Sequence, residues 1–404
     1  MKLSRLALPV LFAALAAPAL AQKEVVVWHA YRAEEKEALE KVVASYNATV
    51  AAKGIKVTTL AVPYDAFADK ITAAVPRGKG PDIFIYAQDR LGGWIEAGKT
   101  VEPIDFFLDK ATKDRFIPTT MEAMTYRGTV YGLPLNYKVI TLIYNRKLLP
   151  TPPKTSKELV AMAKKLTDAK SGRFGLAYSY SDYYYHAALQ NAFGGRVFDP
   201  GPKPVLNAPE NVKALELLMR WFTVDGILPA EPSTALITSL FNGGKAAMVF
   251  SGPWFLGEIA KNIDYGLALL PTIDEAGGKP MRPWMTVEGV YVTAPSQNKD
   301  AAYDFAKYLT DTPQAKVMAV EGRQTPANKA VYSDPAVSGD KILSAFRKQV
   351  EVAVPMPNLP EMTMVWSPAT TAMNTIVKKA ATPKAAMDQA QKAVERDVAA
   401  LRKK

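Results

Sequence analysis

Short apolar runs alternate with amphipathic stretches near the N-terminus, and this alternation constrains the fold more than any other feature. Residues 24–28, 55–60 and 82–86 have the composition of buried strands. The intervals carry apolar residues at helical spacing, beginning at about Ala33 and about Phe67. The pattern therefore predicts an α/β fold with a largely parallel sheet covered by helices. In such sheets, ligands bind beyond the carboxyl ends of the strands.

A second alternating set occupies the middle of the chain. Apolar strands are predicted at 139–145, 174–178 and 246–250, and helices over 155–166 and 212–224. A 404-residue chain is also too long for one hydrophobic core and suits two. We expect two α/β units, with an amphipathic helix at the C-terminus packed against one of them.

Residues 1–21 have the pattern of a cleavable secretory signal peptide. Lys2 and Arg5 precede an apolar run, and Ala19 and Ala21 form a small-x-small cleavage site. A retained membrane anchor is the alternative, but the run is short for a bilayer and contains two prolines. We predict cleavage after Ala21 and a periplasmic protein that is not embedded in the membrane.

The composition excludes several classes of function. The chain has no cysteine and two histidines, so it lacks the residues for disulfides, cysteine-based catalysis or a structural zinc site. A net charge of +11 is compatible with a nucleic-acid partner, but the basic residues are scattered among acidic ones without a basic stripe. We therefore expect no nucleic-acid partner, no metal site and no cofactor, and a monomer.

One segment, GGKAAMVFSGPW at 243–254, suggests a binding surface. A glycine turn leads into a short strand, and a Ser-Gly-Pro break places Trp254 at its end. Trp is costly to expose, and the break is poor core material, so the segment is suited to presenting a flat apolar face to a ligand.

Five stretches in order along the chain resemble the extracellular solute-binding proteins of ABC sugar importers, above all the maltose/maltodextrin-binding proteins. They are GPDIFIYAQDRLGG (80–93), LIYNRKLLPTPPKT (142–155), GGKAAMVFSGPW (243–254), YGLALLP (265–271) and MPNLPEMTMVW (356–366). The resemblance implies a non-catalytic receptor that binds an oligosaccharide and delivers it to a membrane permease.

The resemblance also implies the type II periplasmic-binding-protein fold, with two lobes, a hinge of chain crossings and a ligand cleft between the lobes. The N-terminal lobe would comprise residues 22–135 and 288–322. The C-terminal lobe would comprise residues 136–287 and 323–404. The chain would cross near Leu135, near Glu288 and at 321–326.

Sugars present C–H faces that stack on aromatic rings and hydroxyls that need paired donors and acceptors. By resemblance, Tyr86 stands where the family usually has a stacking Trp, and Asp182 where it has a sugar-binding Glu. The residues to which the resemblance gives binding roles are Tyr86, Asp89, Arg90, Asp182, Tyr184, Trp254 and Trp366.

Several hydroxyl-binding positions depart from the family pattern. Tyr31 and Arg32 lie where the family keeps an Asp-Lys pair, Lys138 where a Glu is expected, and Thr370 where an Arg is expected. Glu288 is a candidate for a compensating carboxylate. Unpaired polar groups reject a wrong ligand strongly, so we predict a sugar of the malto-oligosaccharide type without assigning its identity.

Two other interpretations remain open at this point. The same fold could bind another solute, such as a different oligosaccharide, a polyamine, or a metal chelate at the tyrosines of 178–185. An exported glycosidase would need two carboxylates on opposite sides of a sugar, for which Asp89 and Asp182 are the candidates.

Overall fold

A computed structural model describes residues 23–402, so the predicted signal peptide and its cleavage site lie outside the described residues. The strands are β1 (Lys23–His29), β2 (Ile55–Ala61), β3 (Ile83–Ala87), β4 (Thr125–Tyr126), β5 (Thr129–Val130), β6 (Leu133–Lys138), β7 (Thr141–Asn145), β8 (Phe174–Ala177), β9 (Ala246–Ser251), β10 (Tyr265–Ala268), β11 (Thr272–Ile273), β12 (Lys279–Pro280), β13 (Trp284–Val292) and β14 (Val354–Pro355).

The α-helices are interleaved with these strands. They are α1 (Ala33–Val50), α2 (Tyr64–Ala74), α3 (Leu91–Ala97), α4 (Lys110–Asp114), α5 (Pro118–Ala123), α6 (Ser156–Leu166), α7 (Tyr183–Ala192), α8 (Pro209–Thr223), α9 (Thr234–Asn242), α10 (Lys299–Leu309), α11 (Thr312–Val320), α12 (Pro335–Ser338), α13 (Lys341–Val350), α14 (Met362–Val377) and α15 (Pro383–Arg402). Within 23–402, no helix has the length and apolar character needed to cross a membrane.

The first sheet contains the three strands predicted near the N-terminus. β1 lies between β2 and β3 and is parallel to both, which confirms the predicted parallel pairing. β13 extends the sheet as an antiparallel partner of β3 and β6. The carboxyl ends of β1, β2 and β3 therefore lie along one edge of the sheet, from which the chain leaves toward the candidate site.

The second sheet contains the strands predicted in the middle of the chain, in the order β10-β7-β9-β8. β8 and β9 are parallel, whereas β7 runs antiparallel to β9 and β10. Thr155 caps α6 by accepting a hydrogen bond from the Glu158 amide, as its capping sequence predicts. The C-terminal α15 packs against α14 and α8 and buries Met387 and Val394, so its apolar face belongs to a protein core.

Three passages of the chain run side by side at the β6 and β13 end of the first sheet. In the register of β6 and β13, Asn136 lies opposite Glu288. A third passage pairs Pro326 with Asn136, and the Tyr137 amide donates to the Thr325 carbonyl over 2.9 Å. The predicted crossings near Leu135, near Glu288 and at 321–326 thus meet in one place, while the lobe boundaries themselves remain a prediction.

Candidate functional site

Three tyrosines lie at or shortly after the carboxyl ends of the first three strands. Tyr31 lies between β1 and α1, Tyr64 begins α2 after β2, and Tyr86 is the penultimate residue of β3. The pairing of His29 with Ala61 places the ends of β1 and β2 next to each other. This edge is where a mostly parallel sheet offers a ligand site.

The predicted stacking residue Tyr86 lies within a stack of aromatic rings. Its ring is 5.0 Å from that of Phe67 at an interplanar angle of 8°, and 5.1 Å from that of Tyr64 at 24°. Tyr86 is 6% exposed, whereas Tyr64 is 53% exposed. Sequence reasoning missed Tyr64, although an aromatic residue directly after the carboxyl end of a strand is the signal that identifies it.

Asp89 and Arg90 occupy the turn between β3 and α3. Asp89 is buried, and its Oδ2 lies 3.3 Å from Arg90 Nε. Burial raises the pKa of Asp89 to about 6, and the Arg90 charge and the nearby Trp366 indole offset this only in part. The Trp366 indole nitrogen lies near Asp89 and is buried. It has no hydrogen-bond partner among the described residues, so its geometry toward Asp89 is not that of a hydrogen bond. The carboxylate and the indole nitrogen are thus neighbours that do not bond to each other.

Next to Asp89, aromatic rings from residues 184–366 form a connected series. Ring centroids are 6.4 Å apart for Tyr185 and Trp254, 6.1 Å for Trp254 and Tyr184, 6.3 Å for Tyr184 and Trp284, and 5.9 Å for Trp284 and Trp366. Trp284 is buried and supports the others, which are partly exposed. We call these five residues the aromatic wall. It brings together the predicted residues Tyr184, Trp254 and Trp366.

The Gly-Pro break after β9 holds Trp254 in this wall. β9 ends at Ser251, and a short 3-10 helix covers Pro253–Glu258. A Cβ on Gly252 would lie 2.3 Å from the indole ring of Trp254. Only glycine lets the indole lie against this backbone, which gives the turn predicted from the sequence its physical reason.

Asp182 caps the helix that carries Tyr184. Its Oδ1 accepts a hydrogen bond from the Tyr184 amide over 2.8 Å, so the same carboxylate orders the start of α7. The residue is exposed, yet the surrounding protein is dense enough to raise the pKa of its carboxyl. Asp182 therefore lies in a recess that water reaches.

The predicted residues Tyr31, Lys138 and Glu288 belong to a buried polar network at the chain crossings. The Tyr31 hydroxyl donates to Glu288 Oε2 over 2.8 Å. Lys138 Nζ lies 3.1 Å from a carboxylate oxygen of Glu35 and 3.1 Å from one of Glu288. We call this network the crossing cluster; its members are Tyr31, Glu35, Asn136, Lys138, Glu288 and Gln324.

Within the crossing cluster, charge is paired between protein groups. Burial alone lowers the pKa of Lys138, but the carboxylates of Glu288 and Glu35 outweigh it and raise the pKa above its usual range. Lys138 is therefore charged and directed at two acids of its own chain. No sequence pattern indicates this pairing, because Glu35 is 103 residues away from Lys138 along the chain.

Arg32 lies next to the segment that carries Trp254, and no contact connects Thr370 with the described site residues. The Arg32 guanidinium is 3.9 Å from Glu258 Oε1, and both side chains are substantially exposed. Next to this pair, a Cβ on Gly257 would lie 2.8 Å from Glu34 Oε2. The start of α1 thus touches the 3-10 helix that carries Trp254, whereas Thr370 is exposed on α14.

Comparison with known proteins identifies the family. A model of bacterial extracellular solute-binding proteins matches residues 30–316. The chain belongs to this family. The maltotriose-binding protein of Pyrococcus abyssi is 32% identical over 88% of this chain and 78% of its own length. The galactooligosaccharide-binding protein of Bacillus subtilis is 29% identical over 91% of this chain and 87% of its own length.

A solved structure extends the comparison to the whole fold. The maltose/maltodextrin-binding domain of Bdellovibrio bacteriovorus, bound to maltotriose, superposes with a TM-score of 0.86. It is 26% identical and covers 93% of this chain and 99% of that chain. These comparisons confirm the predicted family and its two-lobed α/β fold.

Proposed function

We propose that this protein is a carbohydrate-binding receptor of an ABC importer that captures malto-oligosaccharide-type sugars in the cleft between its lobes. The observation that carries the proposal is the aromatic wall, which adjoins the buried Asp89 and its neighbour Arg90 at Trp366. A sugar lying on the wall would stack its C–H faces on these rings. Its hydroxyls at that end would meet the carboxylate and the guanidinium.

Asp89 and Trp366 suggest how one hydroxyl is bound. The carboxylate is buried with only one cation beside it, and the indole N–H has no hydrogen-bond partner among the described residues. A sugar hydroxyl placed between them would donate to Asp89 and accept from Trp366. Because Asp89 belongs to one lobe and Trp366 to the other, this hydroxyl would favour the closed cleft.

The free energies of these ring and hydrogen-bond contacts are of the size that a transport receptor needs to bind its sugar. A micromolar Kd corresponds to about −8 kcal/mol. Each aromatic contact contributes about 0.5–1.5 kcal/mol, and each hydrogen bond to a charged group about 1.5–3 kcal/mol. Two or three rings and two charged groups therefore sum to about 4–10 kcal/mol before the cost of ordering, a range that includes this value without a covalent step.

The relatives support the sugar class and leave its identity open. The Pyrococcus abyssi relative is named for maltotriose and the Bacillus subtilis relative for galactooligosaccharides. A galacto-oligosaccharide is therefore the second candidate, favoured by the changed hydroxyl-binding positions at Arg32, Lys138 and Thr370. In either case we infer that the N-terminal signal directs export of the protein. We also infer that the protein acts as a monomer and delivers the sugar to a membrane permease.

Calorimetric titration of the mature protein tests the ligand class, with tryptophan fluorescence as a second readout. The sugars are maltose, maltotriose, glucose, trehalose, lactose and raffinose. We expect micromolar binding of maltotriose with a fluorescence change. Tight binding of raffinose alone would favour the second candidate, and no binding with constant fluorescence would overturn the carbohydrate assignment.

We also propose that the protein does not cleave its ligand. The two glycosidase candidates already have structural functions: Asp182 caps a helix, and Asp89 is buried beside Arg90. Incubation with a panel of nitrophenyl glycosides should release no nitrophenol. Turnover that the Asp182→Asn substitution abolishes would contradict this proposal.

A further inference from the structure

We propose that Tyr64 is the ring on which the first lobe stacks a bound sugar, with Tyr86 as its support. This inference rests on the proposed function and assigns a binding position that neither the sequence motifs nor the family resemblance indicates. It also changes the position from which the first lobe contacts the ligand, because Tyr64 begins α2 whereas Tyr86 lies inside β3.

The first observation is the order of rings in the stack. Phe67 is fully buried, Tyr86 is 6% exposed, and Tyr64 is 53% exposed. Tyr86 lies 5.0 Å from Phe67 and 5.1 Å from Tyr64, nearly parallel to both. Exposure therefore increases from the core outward, and the ring open to a ligand is Tyr64.

The second observation is that Tyr64 is exposed within a recess. Burial raises the pKa of its hydroxyl well above the ordinary value, and the adjacent Tyr86 and Asp89 raise it further. On a convex surface, bulk water would surround the hydroxyl and leave its pKa unchanged. The Tyr64 hydroxyl therefore lies among protein groups near Asp89, while much of the residue is exposed.

The contrast with Phe106 supports this interpretation. Phe106 is 92% exposed, and among residues 23–402 its one aromatic neighbour is Phe107, edge to face at 5.4 Å. It lies between α3 and α4, with no parallel ring behind it in that part of the chain. Tyr64 combines exposure with parallel support, and a supported ring loses little conformational freedom when a sugar covers it.

The experiment compares maltotriose binding by calorimetry in the wild type and in Tyr64→Ala, Tyr64→Phe and Tyr86→Phe variants. Phe106→Ala is the matched control for removal of an exposed aromatic. We expect Tyr64→Ala to weaken binding by about fivefold to tenfold, as the loss of one stacked ring does. The two Phe substitutions keep the rings and should change Kd less than about twofold, and Phe106→Ala should leave it unchanged.

Thermal unfolding of each variant checks that the fold is intact, and alanine at the start of α2 keeps its helical preference. A Tyr64→Ala variant that binds like the wild type would overturn this inference and leave the proposed function in place. Absence of binding by the wild type itself would overturn the proposed function first.

Discussion

Replacement of Asp89 by asparagine should make the protein more stable at neutral pH and impair sugar binding. Asp89 is 5% exposed, and the cation beside it, Arg90, is 3.3 Å away. Burial raises the pKa of Asp89 from 3.8 to about 6. Asparagine has nearly the same shape and no charge, so the substitution removes the cost of burying the ionised form.

The size of the effect follows from the two pKa values. A difference between 3.8 and about 6 corresponds to about 3 kcal/mol of unfolding free energy. Because the pKa in the folded state is the higher one, the wild type has its full stability below pH 3.8 and loses it as the pH rises through about 6. The gain in Asp89→Asn should therefore be about 3 kcal/mol at pH 7.5 and about 1 kcal/mol at pH 4.5.

Urea unfolding of the sugar-free protein at these two pH values measures the difference. Asp69→Asn, an exposed aspartate on α2, is the matched control and should change stability by less than about 0.5 kcal/mol at both. A gain for Asp89→Asn that is absent at pH 7.5, or equal at both pH values, would refute the argument that burial raises this pKa. Loss of the charged acceptor should at the same time weaken maltotriose binding by about tenfold or more.

Three further predictions concern the crossings, the aromatic wall and the ion pair of Arg32. Lys138→Met should lower the unfolding free energy in urea by about 3–5 kcal/mol, because the carboxylates of Glu35 and Glu288 lose the cation paired with both; an unchanged unfolding free energy would contradict this. Gly252→Ala places a methyl group 2.3 Å from the Trp254 ring and so displaces the indole. Sugar affinity measured by fluorescence titration should fall about tenfold, while the unfolding free energy stays nearly unchanged. Unaltered affinity would show that the position of the indole is unimportant for binding. Arg32→Ala removes the exposed ion pair with Glu258, which contributes less than about 1 kcal/mol. The substitution should nevertheless raise the radius of gyration of the sugar-free protein in X-ray scattering. The Arg32→Glu, Glu258→Arg double substitution should restore the wild-type radius.

The predictable part of this fold consists of features encoded within short windows of sequence. The parallel strands β1, β2 and β3 were predicted to within a few residues, as were β8 and β9. Their apolar runs are local and are bounded by helical patterns or glycine turns. The cap of α6 and the Gly-Pro turn before Trp254 were predicted for the same reason.

The strands at the predicted chain crossings, β13 above all, could not be predicted from short windows of sequence. β13 is buried along all nine of its residues, yet it contains Glu288 and Gly289, which interrupt any apolar run. A carboxylate inside a strand is stable here because Tyr31 and Lys138 reach it from other segments. Such partners are invisible to a window of sequence, so sequence patterns alone did not indicate β13.

The sequence by itself determined the α/β class, the position of most elements and the residue types suited to a sugar. Tertiary structure alone decided which of these residues are open to a ligand. Tyr86 and Lys138 have the right chemistry, but Phe67 and Tyr64 cover the first, and two carboxylates pair with the second. Exposure and charge pairing depend on contacts between residues far apart in the chain, whereas periodicity and turn chemistry are properties of neighbours.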